Sequence, residues 1–169
     1  IKDFLTLSNH LHEKVKYLIG EPYVPPEEYI LWLPPELARL TLIKGCWGIG
    51  PKTADSIILT TFKSTNIIPC DTHMKTVAVR LNLVDKAVMP EKRFCSRFVC
   101  DHKASSTFQI PLCPQAEKNL CLKAKLNYFK DLGGWIQTLI YLHGKNFCKL
   151  NKPLCWICPI KKECNWEEK

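Results

Sequence analysis

Residues 48–54 read Gly-Ile-Gly-Pro-Lys-Thr-Ala, and this stretch decides the fold. Glycines at 48 and 50 let the backbone turn with positive φ. Pro51 suits the first turn of a helix, where its missing amide hydrogen is not needed. Apolar residues at helical spacing lie on both sides of the turn. The sequence therefore predicts two helices joined by a tight turn, a helix-hairpin-helix over about 36–63.

Helical patterns also extend outward from this hairpin. We expect Leu37, Leu40 and Ile43 on the buried side of the helix before it, which Gly45 ends. Residues 86–113 give no clear pattern, and no strand pattern persists beyond a few residues, so the predicted fold class is all-α. The predicted helices cover about 11–19 (ended by Gly20), 27–33, 35–45, 51–62, 71–83, 115–131 and 134–146.

The composition narrows the classes of partner. The chain has 169 residues, with 24 Lys and Arg against 16 Asp and Glu, for a formal net charge of +8. This charge favours a polyanionic partner, although solubility alone explains part of it. The longest apolar runs are too short to cross a bilayer, so no membrane partner is expected. Ten cysteines without a secretion signal favour a reducing compartment, nuclear or cytoplasmic, with the mitochondrion also open.

The helix that begins at Pro51 is predicted to bind an anion. Its first amides lack partners within the helix, and the helix dipole favours negative charge at this end. A DNA phosphate fits such a site, and contacts of this kind hold a duplex without reading its sequence. An ordinary turn between two helices also needs glycine, so that alternative stays open here.

Four cysteines near the end of the chain follow a C-x6-C-x2-C-x5-C spacing. Zinc ribbons usually split into two C-x2-C pairs far apart, whereas here single cysteines flank one pair. This arrangement favours a [4Fe–4S] cluster with one thiolate per iron, with structural zinc or metal-free cysteines as alternatives. The predicted ligands are Cys148, Cys155, Cys158 and Cys164.

These motifs together resemble the endonuclease III family of DNA glycosylases. The hairpin is similar to the family's G-[VI]-G-x-K-T-A, and Leu142–Lys145 precedes Cys148 as an L-H-G-[RK] segment does there. Pro69–His73 resembles the family's V-D-T-H segment, with Cys70 where valine is usual. The resemblance implies a six-helix barrel with a helix-hairpin-helix, followed by a [4Fe–4S] cluster loop.

The resemblance also implies a catalytic pair. Lys52 would attack C1′ of the damaged nucleotide, and Asp71 would support that attack. A position at a helix start disfavours a cation, which predicts a lowered pKa for the Lys52 amine, as a nucleophile needs. The plain alternatives are a solvated lysine and a helix N-cap aspartate. Adenine-mismatch glycosylases lack a lysine at this position and match less well.

The activity implied is that of a bifunctional DNA glycosylase/AP lyase of base excision repair. It would flip a damaged base, foremost an oxidised pyrimidine, out of double-stranded DNA, form a Lys52 Schiff base and nick the strand by β-elimination. A 5-methylcytosine glycosylase like those of plants and a non-catalytic iron–sulfur DNA-binding subunit are the alternatives.

Further DNA contacts are predicted around both motifs. His73 is expected to pack against a helix or contact a phosphate, and His143 to be structural. Lysines around the cysteine loop would extend the footprint, with a solvated charged face as the alternative. The predicted DNA-binding residues are Gly48, Gly50, Lys52, Thr53, His73, Lys145, Lys149 and Lys152.

Two domains are predicted: a partial barrel over residues 1–70, and a cluster domain over 71–169 with an insertion at about 92–114 and a cluster loop at 148–164. Family members have more helices before the hairpin, so we expect a preceding segment or a second chain to complete the barrel. Without it, Ile57 and Ile58 should be partly uncovered. Cys95, Cys100, Cys113 and Cys121, with His102, are either a second metal site or loose thiols.

Overall fold

The computed structural model describes residues 2–19, 26–164 and 166. Within that part of the chain there is no strand, and two isolated bridges pair Val88 with Cys121 and Val99 with Leu112. The all-α prediction is therefore confirmed. None of the helices described is both long and apolar enough to cross a membrane.

The α-helices are α1 (Lys2–Ile19), α2 (Pro35–Gly45), α3 (Pro51–Thr61), α4 (Thr72–Arg80), α5 (Lys92–Cys95), α6 (His102–Phe108), α7 (Pro114–Glu117), α8 (Leu122–Leu126) and α9 (Gly133–Asn146). Short 3-10 helices cover Pro26–Trp32, Asn127–Leu132, Cys155–Ile157 and Lys161–Glu163.

Each helix predicted in the first half of the chain has a counterpart in the structure, although α1 begins at Lys2 rather than near residue 11 and α4 ends at Arg80 rather than near residue 83. The predicted helix end at Gly20 lies outside the described residues. α2 forms as predicted, but its buried residues are Ala38, Arg39, Leu42 and Ile43. The expected burial of Leu37 and Leu40 is therefore wrong, since both stay partly exposed. Arg39 instead turns inward, where its guanidinium donates to a carboxylate on α3.

The predicted helix over 115–131 is broken into three pieces. α7 ends at Glu117, and Asn119 has a positive φ of 50°. The chain then pairs with Val88, whose amide donates to the Leu120 carbonyl at 2.9 Å and whose carbonyl accepts from Leu122 N at 2.9 Å. Because these backbone groups bond to a distant segment, they cannot continue a helix.

Two apolar clusters form the core. The first holds the hairpin helices and includes Leu42, Ile43, Ile58 and Cys95. Ile58 is fully buried, so its predicted exposure is wrong, whereas Ile57 is partly exposed as expected. Cys95 lies in the insertion, which therefore packs into the hairpin core. The second cluster joins α4, α8 and α9 through Met74, Val77, Leu122, Leu126 and Ile140.

A buried ion cluster connects these regions. Asp55 of α3 is completely buried, and its carboxylate accepts from Arg39 Nε at 2.6 Å and from Lys123 Nζ at 2.8 Å. Burial opposes ionisation, yet the two cations outweigh it and hold the pKa of Asp55 below its usual value. Within the hairpin, α3 is thereby tied to α2, and the hairpin as a whole is tied to α8.

Candidate functional site

The hairpin turn spans Cys46–Ile49, with Ile49 N donating to the Cys46 carbonyl at 3.4 Å. Gly48 has a φ of +80°, the value that the third residue of a type II turn needs. Trp47 occupies the corner before it and is 89% exposed. Gly50 is extended, with φ −98° and ψ 177°, so the positive φ predicted for it is wrong. Gly50 is instead the N-cap of α3.

The start of α3 is open. Gly50 has no side chain to cap the first amides, and Pro51 follows at the first helical position. The Lys52 and Thr53 side chains are exposed, and within the described residues the Lys52 ammonium has no hydrogen-bond or ion-pair partner. This helix end therefore presents unpaired amides and a cation, an arrangement that favours an anion.

The start of α4 is capped by the side chain of the residue that precedes it. Asp71 Oδ1 accepts from Met74 N at 2.7 Å, so the predicted N-cap is confirmed. Cys70, just before it, is buried, and burial raises the pKa of its thiol. Cys70 is therefore a core residue. The half-buried Asp71 has a position fixed by its cap bond.

His73 packs between α4 and α9. Its ring meets Tyr141 edge to face, with the ring centroids 5.9 Å apart. Gly144 allows this approach, because a Cβ there would lie 2.9 Å from the His73 Cβ. A packing role is thus visible for His73, and its predicted phosphate contact stays a prediction.

Arg80, at the end of α4, holds the cysteine loop (residues 148–164). It is 8% exposed, and its guanidinium donates to Cys148 Sγ at 3.3 Å and to the carbonyls of Lys149 and Leu150, both at 2.8 Å. The Trp166 ring lies 4.7 Å from the guanidinium carbon. Sequence reasoning missed Arg80, although its spacing three residues after the buried Val77 was a signal.

The cysteine loop supplies four partly buried thiols. Cys158 Sγ lies 3.8 Å from His143 Nε2, and Cys164 Sγ lies 3.8 Å from the Arg80 carbonyl. Burial lowers the pKa of His143, which also packs on Phe147. All ten cysteines fall in the described part of the chain, and none forms a disulfide. Four sulfur donors on one loop, with an Arg80 hydrogen bond to one of them, fit an iron–sulfur cluster chemically.

The geometry of coordination is not assembled in the described residues, where no three His, Cys, Asp or Glu side chains are placed to hold a metal ion. The cluster on this loop therefore stays a prediction.

Four of the cysteines that lie before the loop were the candidates for a second metal site. Cys95, Cys113 and Cys121 are buried core residues, and Cys100 is partly buried with its pKa raised by burial to about 11. They are free thiols, as one of the two alternatives expected, and they are not gathered into a metal site within the described residues.

Three lysines predicted to touch DNA lie close to this loop. Lys145 ends α9 on its exposed side, and Lys149 and Lys152 are exposed on the loop itself. The structure leaves all three side chains accessible to a polyanion. Their contact with DNA stays a prediction.

No family model matches the chain, and no solved structure matches it. Three curated proteins are similar to it. Endonuclease III of Sulfolobus acidocaldarius is 28% identical over 119 residues, which cover 70% of this chain and 41% of that protein. DEMETER-like protein 3 of Arabidopsis thaliana is 30% identical over 126 residues, 70% of this chain and 10% of that protein. Protein ROS1C of Oryza sativa subsp. japonica is 30% identical over 143 residues, 81% of this chain and 7% of that protein.

The chain thus spans less than half the length of each of these relatives. Identity is low in all three matches. The first of them carries the name of the family that the hairpin and cysteine motifs resemble.

Proposed function

We propose that this chain, a member of the endonuclease III family of helix-hairpin-helix glycosylases, is the catalytic part of a bifunctional DNA glycosylase/AP lyase of base excision repair. The observation that carries the proposal is the open start of α3. There an unpaired Lys52 ammonium stands beside uncapped amides, next to a turn that fits close approach of a ligand.

Gly50 supports DNA as that ligand. Its backbone is extended, which any residue adopts, and within the described residues a Cβ added to it would have no atom within 4 Å. Neither the fold nor the packing of the free protein therefore requires glycine here. A DNA backbone that lies against the turn does require it, because a side chain would hold the phosphate away from the amides.

The chemistry assigned to the pair follows from their groups. With a damaged nucleotide flipped out, Lys52 Nζ would lose a proton to solvent and attack C1′, and the base would leave with a proton from solvent. The C1′–O4′ bond would then open, with a proton taken up at O4′, to leave the Schiff base between C1′ and Lys52 Nζ. The Asp71 carboxylate would stabilise positive charge on the sugar. Loss of a proton from C2′ of the Schiff base would then break the C3′–O bond and nick the strand. The leading substrate is an oxidised pyrimidine.

The cysteine loop would hold a [4Fe–4S] cluster on Cys148, Cys155, Cys158 and Cys164. When bound, such a cluster supplies a covalent link among four thiolates and so contributes to folding. Arg80 would orient the loop against α4, which keeps the exposed lysines of the loop on a fixed surface.

We also propose how the protein is assembled and in which part of the cell it acts. Residues 1–70 would belong to the barrel and 71–169 to the cluster domain. A preceding segment or a second chain would complete the barrel. The protein would act inside the cell, in the nucleus or the cytoplasm, with the mitochondrion also open.

A second candidate function is excision of 5-methylcytosine. Two of the three relatives are plant proteins. Their sequence identity to the chain is 30%, against 28% for endonuclease III of Sulfolobus acidocaldarius. Duplexes that contain an oxidised pyrimidine, a mismatch or 5-methylcytosine distinguish the two functions. A non-catalytic DNA-binding subunit would cut none of them.

Borohydride trapping on abasic DNA tests the lyase assignment, with the chain in its natural protein. Wild type should form a covalent adduct, and Lys52→Ala should lose it by at least about a hundredfold because no other amine replaces the nucleophile. Lys118→Ala is the matched control, since Lys118 is an exposed lysine outside the hairpin. Equal trapping by wild type and Lys52→Ala refutes the assignment.

A further inference from the structure

Trp47 is among the most exposed large side chains that the structure describes, at 89%. Its neighbours in the hairpin turn point the other way: Cys46 is 2% exposed, and Ile49 packs against the first apolar cluster. The turn therefore anchors itself with two side chains and presents the indole alone to solvent. An exposed tryptophan adds nothing to the core, and its indole is accessible to a ligand.

Two hydrogen bonds hold the backbone of the turn that carries Trp47. The Cys46 carbonyl accepts from Ile49 N at 3.4 Å and from Lys92 Nζ at 3.0 Å. Lys92 belongs to α5, so the insertion braces the turn from below. Gly48 fixes the turn type through its φ of +80°. A braced turn loses little backbone freedom when one of its side chains binds a ligand.

We propose that Trp47 stacks on an unpaired nucleobase beside the phosphate that the hairpin holds. This proposal rests on the proposed function, since it places DNA at the hairpin. Lys44 and Lys52 are exposed on either side and favour a phosphate backbone next to the indole. Uncapped helix amides hold a backbone without distinguishing one nucleotide from another.

An indole adds discrimination of a different kind. Paired bases in a duplex show only their edges in the grooves, while an unpaired base exposes a flat face on which an aromatic ring stacks whatever the base is. Trp47 would thus select distorted DNA over intact duplex. A flipped-out damaged nucleotide leaves its former partner unpaired, which provides such a face.

Binding of two DNA duplexes to the full-length protein tests this assignment. One duplex is fully paired, and the other carries one unpaired base. Trp47→Ala should weaken binding to the unpaired-base duplex on the order of tenfold and change binding to the paired duplex little. Trp47→Phe should keep most of the preference. Trp135→Ala, an exposed tryptophan on α9, is the matched control and should leave both affinities unchanged.

Other outcomes overturn the proposal. Equal loss on both duplexes makes Trp47 a general contact, and no loss on either shows that it does not stack; both results leave the proposed function intact if Gly50→Ala still weakens binding. An effect of Trp47→Ala on assembly with a protein, without an effect on DNA, also overturns it. If the wild-type protein binds neither duplex, the proposed function and this inference fail together. Thermal unfolding of each variant confirms that the fold is retained.

Discussion

Helices α3 and α4 carry the proposed catalytic pair and are stabilised in opposite ways. α3 starts without a capping side chain, and its anchor lies one turn inside the helix, where Asp55 binds Arg39 and Lys123. α4 is capped at its start by Asp71 and anchored at its end by Arg80. The helix proposed to receive a ligand at its start is thus held from within. The helix proposed to place a catalytic carboxylate is capped by that same carboxylate.

Asp55→Asn should give the largest effect on stability. It leaves Arg39 and Lys123 buried without a countercharge, so the free energy of unfolding should fall by about 3–5 kcal/mol. Urea denaturation measures it. Asp131→Asn, at an exposed position, is the control and should change stability little. A loss for Asp55→Asn no larger than the control's would show that the ion cluster does not anchor α3.

The same residue predicts a pH dependence. The pKa of Asp55 is depressed in the folded state, so its stabilisation is present above the unfolded-state pKa of about 3.9 and is lost as the pH falls through the lower folded value. Asp55→Asn should remove this part of the acid sensitivity. An unchanged pH profile in the variant would contradict the ionised pair.

Asp71→Ser separates the cap of α4 from its chemistry. Serine caps a helix about as well as aspartate, so stability should change by less than about 0.5 kcal/mol. The carboxylate is lost, however, and single-turnover cleavage of damaged DNA should slow about a hundredfold. Asp71→Ala should lose both, with about 1 kcal/mol of stability. Full activity in the serine variant would leave Asp71 as a cap alone.

Arg80→Gln tests the anchor at the other end of α4. It removes charge-assisted hydrogen bonds to two loop carbonyls and a sulfur, so stability should fall by about 2 kcal/mol. Iron bound per chain after reconstitution should fall as well. Arg97→Gln, at an exposed arginine, provides the comparison and should change neither quantity.

The smallest effects are expected at the two glycines of the hairpin. Gly50→Ala should leave stability within about 0.5 kcal/mol, because the added Cβ meets no protein atom. It should weaken DNA binding about tenfold, because the added Cβ would stand between the turn and the DNA backbone. Gly48→Ala should instead cost about 1 kcal/mol of stability, because its φ is positive. Calorimetry and a binding titration measure the two losses. The opposite pattern would place the ligand elsewhere.

Sequence reasoning succeeded where the cause is local. Asp71 is recognisable as a cap from the helix that follows it, and Gly48 from the turn it must make. It failed where partners are distant along the chain. Asp55 meets Lys123 across 68 residues, and Val88 breaks a helix more than thirty positions later by pairing with its backbone. No local pattern records such pairings, and so the burial of Arg39 on α2 was missed.

The bond from Lys92 to the Cys46 carbonyl bears on how such a protein diversifies. A hairpin that binds a DNA backbone, as we propose, tolerates few changes in its own residues, whereas the segment that braces it makes no such contact. Substitutions in α5 therefore offer evolution, or an engineer, a remote adjustment of how firmly the turn is held. Related proteins that keep the same hairpin residues are expected to differ first in the insertion that contains α5.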